Sequence, residues 1–166
     1  VTAFAHSRGL SRFAALVPDT AYGRRATQAL REAVARQGGE VVKVASFPPD
    51  SPDVSAVVRH FADYDKRRTS LEEQREALEK RDDEVSRQAL KRLEKLDTLG
   101  ELPFDAVLLP AGGDQLRTIA PLLPFFDIDM PKVHLLGTTQ WDNTSLGTEP
   151  ALVGGWFAAS QPKARK

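Results

Sequence analysis

The chain has 166 residues, the size of one ordinary domain, and 41% of them are hydrophobic, which is enough to bury a core. Lysine plus arginine number 23, and aspartate plus glutamate also number 23, so the zero formal charge gives no electrostatic reason to expect nucleic acid or an anionic membrane as a partner. The absence of cysteine excludes disulfides, thiolate zinc sites and cysteine nucleophiles.

Residues 1–9 contain no initiator methionine and are typical of the end of a helix closed by Gly9. No apolar run reaches the roughly 18 residues of a membrane span, and no signal peptide precedes the first apolar segment. We therefore interpret the chain as a fragment of a longer protein. Any targeting signal is expected to lie outside it.

Five apolar segments are predicted to be strands. Residues 12–18 form a continuous apolar run stopped by proline, which is typical of a buried parallel strand. The other predicted strands are residues 41–47, 104–109 and 132–136, with 151–157 as a weaker strand on the sheet edge.

Helical patterns separate these strands. The first places Ala26, Ala29, Leu30, Ala33 and Val34 on one face and ends at Gly38-Gly39. A short helix near Asp53 directs Val54, Val57, Val58 and Phe61 inward, and a later one does the same with Leu116, Ile119, Ala120 and Leu123. Alternating strands and helices predict an α/β fold, a Rossmann-like parallel sheet with helices on both faces.

Ligands of parallel sheets bind at the carboxyl ends of the strands. The segments that should meet there are residues 19–23, 47–51, 110–114 and 137–143. Among them, residues 138–143 follow a strand and combine an aromatic residue with many hydrogen-bonding side chains, as a ligand-lining loop requires. The alternative is a polar turn with Trp141 packed beneath it. Candidate ligand contacts are Asp19, Tyr22, Gly112, Gly113, Asp114, Thr138, Thr139, Gln140 and Trp141.

Recognisable catalytic and cofactor motifs are absent from the sequence. Gly112-Gly113 lacks the third glycine of a dinucleotide fingerprint, and no lysine-containing phosphate loop occurs. These glycines are better interpreted as a tight turn, with Asp114 as the N-cap of the next helix. The histidines His6, His60 and His134 lack metal-ligand spacing. The sequence therefore predicts a non-enzymatic protein with no metal and no cofactor.

Residues 65–97 are densely charged and carry a thin apolar stripe in steps of about seven residues. Such a stripe predicts a helix that contacts a partner helix along one seam. Pairs such as Glu76–Lys80 and Asp83–Arg87 would support it, and residues 81–83 could divide it into a hairpin. The segment is either a solvated helical insertion or a docking arm for another protein. The stripe consists of Leu71, Leu78, Val85, Ala89, Leu93 and Leu96.

The order of these segments resembles the second lobe of type I periplasmic binding proteins, which include the receptors for leucine, isoleucine and valine. The runs that carry the resemblance are RFAALVPDTAYGRRATQALREAVARQGGEVV, FDAVLLPAGGDQL, KVHLLGTTQWDN and ALVGGWFAAS. The resemblance covers nearly everything except residues 65–97. It implies one lobe over residues 1–160 with a helical insertion at 65–98, and a tail or linker to a missing lobe at 161–166.

The resemblance also implies a function. The family's ligand-contacting tyrosine matches Tyr22, whereas a second aromatic contact would fall at Gly112 or Gly113, and the acidic residue for a ligand ammonium would fall near Thr139. The expected function is ligand binding in a periplasmic solute receptor, with an amino acid or another small polar molecule as ligand. Because the charged insertion and the GTTQWDN run resemble penicillin-binding-protein activator lipoproteins, the alternative is a scaffold that binds a peptidoglycan synthase. A lipid anchor would then lie outside this chain.

Overall fold

The computed structural model describes residues 1–130, 132–143 and 149–159. Five strands form one sheet in the order β2-β1-β3-β4-β5, and all neighbouring pairs are parallel. The prediction of a parallel α/β sheet is confirmed, with the fifth strand at its edge. The strands are β1 (Arg12–Pro18), β2 (Glu40–Phe47), β3 (Ala106–Leu108), β4 (His134–Gly137) and β5 (Trp156–Phe157).

Helices connect and flank the strands. The chain opens with α1 (Thr2–Ser7), and the turn that closes it contains Gly9 with φ of 89°, as predicted. The remaining α-helices are α2 (Ala21–Arg36), α3 (Ser55–Phe61), α4 (Tyr64–Glu79), α5 (Glu84–Leu93), α6 (Gly113–Ile119) and α7 (Leu122–Phe125). Two 3₁₀ helices span Thr139–Asn143 and Pro150–Leu152.

The sheet separates two hydrophobic layers because successive side chains of a strand point to opposite faces. Ala14, Leu16 and Val107 belong to the larger layer, which α3, α6 and α7 cover. Phe13 and Ala15 belong to the smaller layer, which also contains Ala5 of α1 and Leu30 and Val34 of α2. Residues 13–18 of β1 are all buried, which confirms the prediction of a strand covered on both faces.

Several predicted boundaries differ from those of the structure. β3 pairs over only three residues on either side, shorter than the predicted 104–109, and Phe104 just before it stacks on Phe61 of α3 at a centroid distance of 5.0 Å. The predicted start of β5 is a 3₁₀ helix whose first turn is capped by the Glu149 side chain. On α2, Ala29 is exposed, because the buried face centres on Gly23, Leu30 and Val34.

The charged segment folds into two packed helices, α4 and α5, joined by residues 80–83; we call this unit the helical hairpin. The predicted break at residues 81–83 is confirmed. Asp83 is the N-cap of α5 and accepts a 2.7 Å hydrogen bond from the Ser86 backbone N–H. The predicted pair between Asp83 and Arg87 does not form, because the Asp83 side chain serves as the cap. Arg87 pairs with Asp82 and Glu84 instead.

Only part of the predicted apolar stripe forms the seam of the hairpin. Leu71 and Leu78 are buried, whereas Val85 is 76% exposed and Leu96 is 42% exposed. The reason is that the chain reverses at residues 80–83, so the seven-residue register of α4 does not continue into α5. Arg75 joins the two helices by donating to the carbonyl oxygens of Leu93 and Leu96 at 2.7 and 3.2 Å.

The hairpin lies between α3 and β3, where the chain returns to the amino end of the sheet. We call the part of the hairpin around Arg67 and residues 96–100 its base. There the backbone N–H of Leu99 donates to the carbonyl of Arg67 at 3.0 Å. Leu71 and Leu78 belong to neither hydrophobic layer of the sheet. None of the helices in the described parts of the chain is long and apolar enough to cross a bilayer.

Candidate ligand-binding site

The four turns selected from the sequence lie together at the carboxyl ends of the strands; we call this region the carboxyl-end surface. Hydrogen bonds connect the turns across the sheet. The Asp19 backbone N–H donates to the carbonyl of Phe47 at 2.8 Å, and the Gln115 side chain donates to the carbonyl of Pro49 at 2.9 Å. The surface is therefore one continuous structure and not a set of independent loops.

Tyr22 and Thr138, two of the predicted contacts, are in direct contact. The Tyr22 hydroxyl donates a 3.0 Å hydrogen bond to Thr138 Oγ1. Tyr22 follows β1 and Thr138 follows β4, and β3 lies between these two strands in the sheet. The tyrosine side chain therefore connects two turns that are not neighbours, while both residues stay partly exposed.

The local backbone holds Tyr22 in place. Thr20 caps α2 by accepting the Gly23 N–H at 3.1 Å, so that Tyr22 falls in the first helical turn. A Cβ atom at position 23 would lie 1.8 Å from the carbonyl oxygen of Pro18. Glycine is therefore required for α2 to start so close to the end of β1.

Gly112 contacts the turn after β4. A Cβ atom there would lie 2.8 Å from the carbonyl oxygen of Gln140, so the absence of a side chain lets the two turns meet. Gly112 is also the N-cap of α6, which corrects the prediction that Asp114 has this role. Gly113, with φ of 54°, begins the helix, and this places Asp114 inside the first turn, where its exposed carboxylate pairs with Arg117 at 3.3 Å.

The Trp141 indole lies in the core and does not line the carboxyl-end surface. It has 0% exposure, and its Nε1 donates to the carbonyl of Leu109 at 3.0 Å. Of the two alternatives, the structure therefore supports the polar turn with Trp141 beneath it. Gly137 and Gly155 make room for the indole, since a Cβ at either position would approach its ring within 2.2 or 2.8 Å.

A pocket of about 150 Å³ opens between the turn after β2 and the start of α6. Its wall includes Gln115 and Thr118, which were not predicted as site residues. Their positions in the sequence, one and four residues after Asp114 on the first turns of the helix, could have indicated that they lie near the carboxyl-end surface. The pocket is lined by Phe47, Pro48, Pro49, Asp50, Ser51, Pro52, Val54, Asp114, Gln115, Thr118 and Ile119.

The four segments contain four aspartates and no lysine, arginine or histidine. Asp19 is exposed and lies 3.5 Å from Arg24 of α2. Thr139 and Gln140 are also exposed, so their side chains face solvent beside the Tyr22–Thr138 pair. The surface thus offers neutral hydrogen-bonding groups, and Arg24 and Arg117 pair with the exposed carboxylates of Asp19 and Asp114.

Within residues 1–130, 132–143 and 149–159, no cluster of three or more histidine, aspartate or glutamate residues is arranged to hold a metal ion. The described residues thus form a parallel sheet with polar turns at the carboxyl ends of its strands. The model of the family described as periplasmic binding protein matches residues 1–164. The chain belongs to this type I periplasmic binding protein family.

Solved structures share the fold. A solute-binding protein of an ABC transporter from Rhodopseudomonas palustris BisB5, in complex with 3,4-dihydroxybenzoic acid, superposes with a TM-score of 0.52 at 16% identity, over 82% of this chain and 27% of that chain. An ABC transporter substrate-binding protein from Sphaerobacter thermophilus gives a TM-score of 0.51 at 15% identity, over 83% of this chain and 28% of that one.

A third structure is a branched-chain amino acid ABC transporter periplasmic ligand-binding protein from Burkholderia xenovorans LB400, with a TM-score of 0.50 at 16% identity, over 81% of this chain and 26% of that one. This chain spans about a quarter of the length of these three proteins. At such identities the likeness shows the fold alone. A comparison with curated proteins found no match.

Proposed function

We propose that this lobe forms one wall of the ligand cleft in a periplasmic solute receptor of an ABC transporter type, and that it performs no catalysis. The observation that supports the proposal best is the Tyr22–Thr138 hydrogen bond of 3.0 Å at the carboxyl-end surface. It fixes an aromatic side chain beside exposed polar groups, the combination that small-molecule sites use to position a ligand.

The proposed ligand is a small polar molecule with a flat or apolar portion. That portion would pack against the Tyr22 ring, and hydroxyl or amide groups would bond to Thr138, Thr139 and Gln140. Because Asp19 and Asp114 pair with Arg24 and Arg117, this wall would hold a ligand mainly through neutral hydrogen-bonding groups. An amino acid meets these conditions only if a carboxylate of the parent protein's other lobe or an aspartate of this surface reaches its ammonium group.

The full two-lobed parent protein is the right object for a first test, because this lobe supplies only half of a cleft. Thermal-shift screening against amino acids, short peptides, hydroxylated benzoic acids and peptidoglycan fragments would identify a stabilising ligand by mass action. Titration calorimetry would then compare that ligand on the native protein, Tyr22→Ala and Thr138→Val. We expect both variants to weaken binding at least tenfold.

Phe125→Ala is the matched control, since Phe125 is a 72% exposed aromatic residue on α7. Its affinity should equal that of the native protein. Unchanged affinity in both Tyr22→Ala and Thr138→Val would show that the ligand binds elsewhere, and the assignment of this wall would then be wrong.

The alternative function, a scaffold for a peptidoglycan synthase, stays a prediction, as does the lipid anchor that it would use. One structural feature favours testing it: Leu71 and Leu78 of the hairpin lie outside both hydrophobic layers, and its tip exposes Val85. Deleting the hairpin from the parent protein should abolish partner binding and leave solute binding intact. Retained partner binding would exclude the hairpin as the docking element.

A further inference from the structure

A second and larger cavity lies at the opposite end of the sheet from the carboxyl-end surface. Its volume is about 530 Å³, within the range of sites that hold small molecules. The first residue of β1 and the residues before β3 and β4 form one side of it, and the base of the helical hairpin forms the other. We call it the amino-end cavity. Its lining includes Arg12, Phe104, Asp105 and Val133 from the sheet side and Arg67, Leu96, Thr98 and Leu99 from the hairpin side.

The floor of the amino-end cavity is apolar. Leu102, Phe104 and Val133 are 7%, 2% and 2% exposed, so they belong to the packed interior beneath it. Leu96, in contrast, is 42% exposed and stands in the wall. Apolar side chains on two sides would bury the hydrocarbon or aromatic portion of a ligand.

Arg67 is the cavity's most buried charged group. Its side chain is 11% exposed, and it donates through Nε to the carbonyl of Gly100 at 3.2 Å and through Nη1 to the carbonyl of Asp127 at 3.0 Å. Nη2 makes no hydrogen bond within the described parts of the chain, and it lies 3.8 Å from the Asp127 carboxylate. That separation exceeds the 2.7–2.9 Å typical of a charge-assisted hydrogen bond. Burial lowers the pKa of Arg67, because desolvation of the charged form outweighs the attraction of the Asp127, Asp63 and Asp129 carboxylates.

The other charged groups around the cavity have polar partners or face solvent. Arg12 pairs with Asp105 at 2.7 Å, and Lys132 pairs with Asp129 at 3.4 Å. Glu101 is exposed, so water screens its carboxylate. The Asp127 carboxylate already accepts a hydrogen bond from the Thr98 hydroxyl. The unused donor of Arg67 is therefore the strongest polar feature that the cavity offers a ligand.

We propose that the amino-end cavity is a second small-molecule site, which takes an organic monocarboxylate with an apolar or aromatic body. The carboxylate accepts hydrogen bonds from Arg67 Nη2, and the body lies on Phe104 and Val133 against Leu96. Because the hairpin base supplies Arg67 and Leu96, an occupant of this site also contacts the insertion. The site is thus separate from the cleft and sensitive to the position of the hairpin.

The test uses the 166-residue chain and three probes of one shape: benzoate, benzamide and benzylamine. Amide chemical shifts in ¹H–¹⁵N spectra locate the binding, and their titration gives the affinity. We expect saturable benzoate shifts centred on residues 98–102, with benzamide and benzylamine at least tenfold weaker. Shifts confined to residues 19–23 and 137–143 would overturn the proposal, as would tighter binding of benzylamine than of benzoate.

Two variants separate a binding role for this cavity from a merely structural one. Leu96→Trp fills the cavity from its exposed wall without removing a buried residue, and Val85→Trp makes the same change at an exposed position of the hairpin away from the cavity. Leu96→Trp should weaken benzoate at least tenfold, and Val85→Trp should leave it unchanged. Equal affinity in the two variants would exclude the cavity as the site.

Arg67→Lys tests the polar contact. Lysine keeps the charge but loses the planar group that bonds to Gly100, Asp127 and the ligand together. If the variant is folded by its spectrum, benzoate binding should fall at least fivefold while benzamide binding changes less. Equal losses for the two probes would show that Arg67 acts on the fold alone, which would overturn the proposed carboxylate contact.

Discussion

The Tyr22 hydroxyl and the Thr138 hydroxyl, 116 residues apart in sequence, are joined by a 3.0 Å hydrogen bond across the end of β3. This contact connects the turn after β1 with the turn after β4. It therefore makes the candidate ligand surface a single structure before any ligand binds.

The first prediction concerns that bond. Tyr22→Phe should lower the free energy of unfolding by about 1 kcal/mol, the usual value of one partly exposed hydrogen bond. Thr138→Val should cost a similar amount, and the double variant less than the sum, because both remove the same contact. Urea unfolding of the four proteins measures the coupling, and additive losses would contradict a direct interaction.

The second prediction concerns Gly23. Gly23→Ala should destabilise the chain by about 3 kcal/mol or more, because the new Cβ would lie 1.8 Å from the carbonyl oxygen of Pro18 and α2 would have to move. Gly38→Ala is the control: its Cβ would meet nothing, and only the φ of 74° opposes alanine, at a cost of about 1 kcal/mol. Thermal or urea unfolding compares the two variants. Equal losses would show that Gly23 is needed for its conformation and not for close packing.

The third prediction concerns the two tryptophans. Trp141→Phe should cost roughly 2–3 kcal/mol, because it leaves a void under the turn after β4 and removes the hydrogen bond to Leu109. Trp156→Phe, on the partly buried edge strand, should cost less than about 1.5 kcal/mol. Each variant keeps one tryptophan. Trp156→Phe should therefore show the blue-shifted emission of the buried Trp141, and Trp141→Phe the redder emission of Trp156. The reverse order of emission would contradict the burial of Trp141.

The fourth prediction concerns Asp105 and pH. Partial burial opposes ionisation of this carboxylate, but hydrogen bonds from the Arg12 side chain and from the backbone N–H groups of Arg12 and Ser11 outweigh it and lower the pKa. The pKa is lower in the folded than in the unfolded state. The resulting stability is therefore full above the ordinary carboxyl pKa of about 4 and is lost as pH falls through the folded value.

Asp105→Asn should remove this contribution, on the order of 1 kcal/mol at pH 7. The difference in unfolding free energy between the native protein and the variant should shrink as pH falls below the ordinary carboxyl pKa of about 4 and through the lower folded value. Urea unfolding at several pH values measures it. A difference that stays constant over that range would show that the carboxylate's charge is not responsible.

The fifth prediction concerns the helical hairpin. Replacing residues 70–95 with a short glycine-serine linker should leave a folded lobe, because Leu71 and Leu78 belong to neither hydrophobic layer. Solute affinity of the parent protein should be unchanged, since the hairpin base lies at the end of the sheet opposite the carboxyl-end surface. Loss of near-ultraviolet circular dichroism in the shortened chain would contradict independent folding of the sheet.

The sequence by itself determined the architecture, because that information is local and periodic. The continuous apolar run of β1, the alternation of strands with helices and the glycine and proline stops are typical of a parallel α/β sheet. The same reasoning located the four turns of the candidate surface, since the carboxyl ends of parallel strands share one side. The break at residues 81–83 was likewise visible in the chain.

Contacts between distant residues were decided only by the tertiary structure. The sequence left open whether Trp141 faces a ligand or the core, and the answer depends on the space that Gly137 and Gly155 provide beside it. It could not show that Tyr22 reaches Thr138, or that Arg67 lies at the base of the hairpin with Nη2 3.8 Å from the Asp127 carboxylate. Such contacts depend on how separate elements pack in three dimensions. The periodicity of apolar residues along the chain carries no information about the distances between those elements.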